Sequence, residues 1–555
     1  MINFLQVKKY LGYLNSKKKI LYIRNIKNKF IASKKSSDHS RTNSKIIKGN
    51  QSILICTLSG DNYIIRMFDY LFYVYLKVKN KNTFILKCSK SLNLCNVSNY
   101  TWFNKKLDKN NIKLAQSEIC NFCNKGFESD FTNKNKDVIS LKDFINQSDV
   151  NLANNYLKKL NIKNYKNFNG KFSFLNEQVY SGFIRFRGTS IEDKNKSDNL
   201  TIYKEYFKSA ILFYLGFKKI LNKKKINKVI THHGIYIPHG IIPIISKKQN
   251  IPFYVWQPGY RQNSLIVTKN KNIHKYFPEN KLWKKFLLND RQKSKIKNYL
   301  NQRIVGNQGW INFQSGNFLD ENLNSLLNKN INGNYLLALN VDWDAKLHFK
   351  KSIFKDMFEL IDFTIDYFIQ NPKKRLVIRS HPGEFLGNVP TSFSVEDYIS
   401  NKFGKLPKNI ILINSFSKIN TYKIAKKCNF AIVYTSKLSI EFASMGIPVI
   451  CCGEAWIRNK KITFDPKNKI EYLKFLSMDL KKAKIIQKSK IEKALQFAYF
   501  YFFIKMIKVN LIKTFKYKFP KYISNIVNNN NKLKSDHNFN LIINQFLSNS
   551  DILKK

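Results

Sequence analysis

Residues 228–259 read KVITHHGIYIPHGIIPIISKKQNIPFYVWQPG. Lys228-Val-Ile-Thr231 is a short apolar, β-branched run that stops at His232-His233-Gly234. From about Pro238 to Lys248 apolar residues recur at helical spacing. Ile251-Pro-Phe-Tyr-Val-Trp256 is a second strand-like run, and it stops at Gln257-Pro258-Gly259. Strand, helix and strand joined by short connections demand a parallel pair. His232, His233 and Gln257 then share the carboxyl edge of one sheet, the edge at which open α/β sheets bind ligands.

The second half repeats this ending. Leu376-Val-Ile-Arg-Ser380 runs into His381-Pro382-Gly383. Proline presets φ for the first turn position, and glycine suits the left-handed second position of a type II turn. Both Pro-Gly pairs are therefore expected to turn the chain sharply and to fix Gln257 and His381 at strand ends. Tyr335–Val341, Asn409–Asn414, a run ending at Val433, and Val449–Cys452 supply further strands between helical stretches. Upstream, Ser52–Gly60, a helix to about Lys79, and Thr83–Leu86 make a β-α-β opening. The fold class expected is α/β, with two Rossmann-like domains whose parallel sheets face an interdomain cleft. The expected division is a basic extension at 1–50, a first Rossmann-like domain at 51–330, and a second at 331–490. Helices at 491–530 pack back on the first, and 531–555 is a polar tail. The stretch from about 280 to 330 reads as the interdomain region.

The 555 residues give room for two core-sized domains. A hydrophobic content of 43% with 14% aromatic residues excludes wholesale disorder. Net charge is +61, from 97 Lys+Arg against 36 Asp+Glu. Such a balance suggests nucleic acid. However, Arg, the bidentate reader of phosphates and bases, is scarce beside Lys. Lys, Asn, Ile, Phe and Tyr are abundant together, as an AT-rich coding sequence would produce. Nucleic acid is thus disfavoured as a partner, and anionic substrates or an anionic membrane surface suit the charge better. The aromatic run Ala494–Ile504 is too short to span a bilayer and reads as a buried C-terminal helix in preference to an interfacial one. The N-terminus lacks a signal-peptide pattern. A cytoplasmic location follows, with peripheral contact at the inner face of the membrane as its extension. The eight cysteines are then expected to be reduced. Cys120-x-x-Cys123 has metal-type spacing, and Cys88 with Cys95 makes a loose second half. A structural zinc competes there with ordinary buried thiols.

Thr435-Ser436 follows a strand and opens a helix, where free backbone N–H groups favour an anion. Leu438, Phe442 and Met445 should face inward, which leaves Glu441 off that face and able to accept ribose hydroxyls. The plain reading is a serine cap with a surface carboxylate. His381, with Arg379 beside it, can bind or protonate a leaving phosphate. Asp342 and Asp344 stand near a strand end and read as loop anchors. His232 and His233 are the general-base candidates. Tyr260 and Arg261 follow the Gln257 turn and could position an anionic substrate in the cleft; His274 is a further histidine of the same half. No P-loop, GxGxxG, GxSxG or HExxH pattern stands in a suitable context.

Gln257-Pro258, His381-Pro382, Asn340-Val-Asp-Trp-Asp-Ala345, Tyr434-Thr-Ser-Lys-Leu-Ser-Ile-Glu441 with Gly446-Ile-Pro-Val449, and His232-His-Gly-Ile-Tyr236 together resemble the capsule polysaccharide biosynthesis family. These are GT-B glycosyltransferases that include bacterial Kdo transferases. The resemblance covers about 225–460. It implies a nucleotide-sugar donor, CMP-Kdo-like among the choices, held by the C-terminal domain. It implies a glycan or glycolipid acceptor at the N-terminal domain, and no required cofactor or metal. Carried over, His381, Thr435 and Ser436 would contact donor phosphate, Glu441 the ribose, and Gln257 the cleft wall. The family's acidic catalytic residue has no clear match in the first half, so His233 stands as the base by its chemistry. Neighbouring expectations are a polyol-phosphate transferase of the CDP-glycerol type and a basic membrane- or nucleic-acid-binding protein with an inactive GT-B shell.

Overall fold

A computed structural model describes residues 51–79, 81–98, 112–131, 135–161, 168–191, 196–275, 278–305, 333–349, 352–387, 389, 391–513, 521–522 and 536–554. The basic extension at 1–50 and residues 306–332 lie outside the described residues.

Strands β1 (Ser52–Cys56), β2 (Asn82–Lys87), β3 (Val138–Ser140), β4 (Lys228–His232), β5 (Phe253–Pro258) and β6 (Ser264–Lys269) belong to one sheet. Strands β7 (Asn334–Ala338), β8 (Arg375–Arg379), β9 (Ile410–Ile413), β10 (Phe430–Val433) and β11 (Val449–Cys451) form a second. The short β12 (Ile507–Lys508) returns to the first, whose order is β12-β6-β5-β4-β1-β2-β3. The second sheet has the order β11-β10-β7-β8-β9 and is parallel throughout. Two Rossmann-like α/β units result. Their strands are near-continuous apolar runs because helices cover both faces: Ile53, Leu54, Ile55 and Cys56 are all fully buried.

Local sequence explains the elements. The helix Tyr63–Val78 starts at Asn62, whose side chain accepts from the Ile64 and Ile65 amides. Its Phe68, Leu71, Phe72 and Tyr75 pack on the first sheet with Tyr254 and Trp256. In the second unit Asp356 caps the helix Met357–Gln370 in the same way, and Leu360, Ile361, Ile365 and Phe368 are buried against Tyr335, Leu337 and Ile378.

Four expectations are corrected. Neither Pro-Gly pair makes a type II turn, since Gly259 and Gly383 are absent from the residues with positive φ. Strand β5 runs on through Gln257 and Pro258, because β6 pairs antiparallel with it there (Gln257 with Ile266, Pro258 with Leu265). Pro382 instead caps a short helix, Gly383–Leu386, with φ −57° and ψ −22°. Glycine is needed at 383 for space: a Cβ would stand 2.7 Å from Nδ1 of His381. Second, the helix Asp290–Val305, expected within the first domain, buries Ile296, Tyr299 and Leu300 in a cluster that holds residues of the second unit and of 494–506 beside Ile266 and Ile273 of the first, as suits the interdomain stretch. Third, the segment read as a polar tail carries a helix, His537–Leu547. Its Phe539, Ile542, Ile543 and Phe546 are buried against Phe72 and Tyr75. Fourth, Glu441 is fully buried rather than off the packed face. The 494–504 run is buried as expected, and among the described residues no helix is long and apolar enough to cross a membrane.

Candidate functional site

The carboxyl edges of the two sheets meet. The hydroxyl of Tyr236, just after β4, donates to Oδ1 of Asp344 at 2.8 Å and accepts from the Ala345 amide at 2.9 Å. The Ser190 amide donates to Oδ2 of Asp342 at 2.8 Å, and Nζ of Lys346 to the Ser190 hydroxyl at 2.7 Å. Trp343 inserts its ring into the core cluster of the first unit. The loop after β7, Asn340–Ala345, is thus the seam between the halves.

On the first edge the histidines form a chain of neighbouring rings. His232 meets His233 at 5.5 Å and Trp256 edge-on at 4.9 Å. His233 stacks on Tyr236 at 5.6 Å and lies 5.5 Å from His274, which lies 6.2 Å from His348. The backbone of His233 is left-handed, with φ 60°. The guanidinium of Arg185 sits 4.9 Å over Tyr236 and 5.4 Å over Trp343. Burial, with His239 and Arg185 nearby, pushes the His232 imidazole well below its usual pKa. Burial, His232, His274 and Arg185 do the same to His233. These rings are neutral at neutral pH. Nδ1 of His232, Nδ1 of His233 and both nitrogens of His274 are buried and lack protein partners among the described residues. A polar ligand placed here would satisfy them. As they stand, no three His, Cys, Asp or Glu side chains among the described residues are grouped to hold a metal ion.

On the second edge, Nδ1 of His381 accepts from the Gly383 amide at 2.9 Å. Burial, then Lys437 and Arg379, hold this ring down at about 4 against the opposing Asp344. A neutral imidazole that accepts at Nδ1 carries its proton on Nε2 and is a donor there. Lys437 lies 3.7 Å from Glu441 and 4.9 Å over the ring of Tyr260. Burial and Arg303 lower its ammonium to about 8, so it remains charged at neutral pH. Asp344 is exposed and lines a small opening with Asn340, Lys346, Tyr434 and Thr435. Its charge reaches His274, His381, Tyr236 and Tyr260. An exposed carboxylate therefore stands within reach of two neutral imidazoles, His274 and His381, and the Lys437 ammonium, paired with Glu441, acts on His381 as well. The set can accept a proton, donate hydrogen bonds and neutralise an anion.

The structure treats the sequence candidates unequally. His381, Thr435, Tyr260 and His274 lie around Asp344, and His233 stacks on Tyr236, the hydrogen-bond partner of Asp344. The Tyr260 hydroxyl is pushed up by burial and by Asp344 and Glu441. Ser436 caps its own turn by accepting from the Leu438 amide at 3.2 Å. Arg379 is buried and its guanidinium donates to the carbonyls of Asn414 and Ser417, the latter at 3.0 Å, so it holds a loop rather than a substrate. Arg261 donates to the Met506 carbonyl at 2.9 Å and covers Phe503, which places it on the C-terminal segment rather than in the cleft. Glu441 has no oxygen to offer a ribose. Oε1 meets Arg303 at 3.2 Å, and Oε2 accepts from the Tyr422 hydroxyl at 2.8 Å. Gln257 is half-buried in the β5–β6 hairpin. Sequence reasoning missed Arg185, Tyr236 and Lys437 as site residues and read Asp344 as a loop anchor. The strand-end position of Asp344 was the available signal.

No family model matches the chain. No curated protein matches it in sequence. Among solved structures it is similar to Thermosulfurimonas dismutans KpsC, a beta Kdo 2,4 transferase, at 13% identity and a TM-score of 0.34, over 56% of this chain and 87% of that one. It is similar to Methanocaldococcus jannaschii UDP-GlcNAc 2-epimerase in complex with UDP-GlcNAc and UDP, at 12% identity and a TM-score of 0.28, over 78% and 94%. A third is sucrose-phosphate synthase from Thermosynechococcus elongatus, at 11% identity and a TM-score of 0.28, over 81% and 95%.

Proposed function

We propose that this chain is a glycosyltransferase that moves a sugar from a nucleotide-activated donor to a glycan or glycolipid acceptor of a surface polysaccharide. One observation carries the reading. The exposed Asp344 carboxylate lies in the loop after β7 of the second sheet, accepts from the hydroxyl of Tyr236 just after β4 of the first, and stands within electrostatic reach of His381. The donor phosphate lies against the second edge. There the Nε2–H of His381 donates to a phosphate oxygen, and Lys437 offsets the charge that grows on the leaving phosphate. Thr435 borders the same opening. The acceptor enters over His233 and His274, whose unpartnered nitrogens take its hydroxyls. The acceptor oxygen attacks the anomeric carbon, the bond to phosphate breaks with its electron pair on the phosphate, and Asp344 takes the hydroxyl proton. Asp344 suits this role better than His233, whose ring is buried against Tyr236 and strongly depressed in basicity.

A panel of CMP, UDP, GDP and ADP, with their sugar conjugates, tests the reading. One nucleotide should raise the melting temperature, by about 2.7 kcal/mol of stabilisation at a hundredfold excess over Kd. Asp344→Asn should keep that shift and lose sugar transfer. If none of the four nucleotides shifts the melt, the donor-site reading fails.

A further inference from the structure

The carboxyl end of β9, next to the strand end that carries His381, holds a further set of groups. Arg379 of β8 stands opposite Ile413 of β9, and the Ser380 amide donates to the Ile413 carbonyl at 3.0 Å. His381 and Asn414 therefore follow neighbouring strands at one edge of the sheet. Asn414 opens a four-residue turn, closed by the Ser417 amide on its carbonyl at 3.3 Å. The Arg379 guanidinium donates to the Asn414 and Ser417 carbonyls and so braces both ends of that turn. Phe416 is its third residue and stays 44% exposed.

An exposed ring on a braced turn offers a flat apolar face to a ligand. Phe385, half-buried in the helix Gly383–Leu386, meets this ring edge-on at 6.0 Å and supports it from the His381 side. One such ring alone would be ordinary surface. The polar atoms beside it are not ordinary. The side-chain oxygen of Asn414 is buried and lacks a partner among the described residues, and so does the hydroxyl of Ser380. Buried polar atoms take partners, so both strand ends have hydrogen-bonding capacity that the protein does not use. An amide presents an acceptor and two N–H donors in one plane, which matches the adjoining donor and acceptor groups on the edge of a nucleobase. A base would meet both demands, with its π face on the ring and its polar edge on the amide. A lipid chain or an apolar protein surface would cover the ring and leave the Asn414 oxygen unpaired.

We propose that the base of the donor nucleotide stacks on Phe416 and is read by the side-chain amide of Asn414, so that the turn 414–417 sets which nucleotide this chain accepts. The inference rests on the glycosyltransferase reading, which puts the donor phosphate at His381. Phe385 follows His381 by about one helical turn, a rise on the order of 5 Å. Phosphate and base then lie to either side of the ribose along one sheet edge. Arg379 keeps the turn rigid before the nucleotide arrives, which spares binding the cost of ordering a loop. Its buried guanidinium thus serves the donor site through the loop it holds.

The test titrates the full chain calorimetrically with CMP, UDP, GDP and ADP, and by competition with ribose 5-phosphate, a probe that has no base. Phe416→Ala should weaken the preferred nucleotide roughly 5- to 150-fold, the worth of one stacked base, and leave ribose 5-phosphate unchanged. Phe416→Trp should keep the affinity, whereas Phe416→Leu, apolar but without a π face, should lose it. Asn414→Ala should narrow the gap between the preferred nucleotide and the other three. Because Phe416 is exposed, its variants should melt with the wild type. Unchanged nucleotide affinity in Phe416→Ala, an equal loss for ribose 5-phosphate, or full affinity in Phe416→Leu each overturns the inference. So does a Phe416→Ala chain that keeps its nucleotide but no longer binds phosphatidylglycerol vesicles, which would make the ring a membrane contact. If none of the four nucleotides binds the unaltered chain, the glycosyltransferase reading falls and takes this inference with it; if one binds without regard to Phe416, only this inference falls.

Discussion

Glu441→Gln separates two roles for a residue that sequence and structure describe differently. In the fold, Glu441 is fully buried, with Nε of Arg303 at 3.2 Å, Nζ of Lys437 at 3.7 Å and the Tyr422 hydroxyl at 2.8 Å. Burial raises its pKa, but Lys437, Arg303 and Tyr422 outweigh that and hold it below the usual glutamate value. The amide keeps the shape and removes the charge, which leaves two cations facing each other in a buried site. Breaking a buried pair in this way costs about 3–5 kcal/mol. At roughly 2–4 °C per kcal/mol for a chain of this class, the melting temperature should fall by on the order of 10 °C. The sign with pH follows from the depressed value. The contribution is present above the unfolded glutamate pKa and is lost as pH falls through the lower folded one, so the gap between wild type and variant should close in acid. Differential scanning calorimetry across that range measures it. A variant that melts with the wild type at neutral pH yet no longer binds nucleotide would refute the buried-cluster reasoning and restore Glu441 as a ribose ligand.

Other perturbations test the site. Lys437→Met should weaken nucleotide binding and remove its alkaline limit: in the wild type the affinity should drop as pH rises through about 8, roughly tenfold by one unit above, as the ammonium loses its proton. His381→Ala should weaken nucleotide binding by roughly 10- to 100-fold by calorimetric titration, the worth of a hydrogen bond to a charged group; an unchanged affinity removes His381 from the donor site. Asp344→Asn should lower turnover by about 10²–10⁴ with nucleotide affinity retained, and restoration of wild-type turnover in the variant would exclude Asp344 as the base. Tyr236→Phe strips Asp344 of its partner and leaves the Ala345 amide buried; about 2 kcal/mol of stability should go, read by chemical denaturation.

Much of the architecture is legible along the chain. Parallel strands covered on both faces must be apolar runs, and Ile53–Cys56, Val229–Thr231, Leu336–Ala338 and Ala431–Val433 announce themselves. The C-terminal helix was legible too, since Phe539, Ile542, Ile543 and Phe546 recur at helical spacing, but the Asn-rich setting disguised them. The Pro-Gly pairs misled because turn grammar describes an isolated tetrapeptide. At Pro258 the antiparallel partner β6 extends the strand, and at Gly383 the crowding of His381 and the onset of a helix decide the backbone.

The sequence by itself determined the α/β class, the two repeated units, and which strand ends carry polar chemistry, because periodicity and chain direction are local properties. Tertiary structure alone decided which of those polar groups are free to act. Burial and charge compensation come from partners far away in the chain: Arg303 and Tyr422 close off Glu441, carbonyls of the 414–417 loop consume Arg379, and Tyr236 leaves Asp344 exposed within reach of two neutral imidazoles. A titratable side chain's role follows from the field around it, and that field is assembled only when the sheets meet.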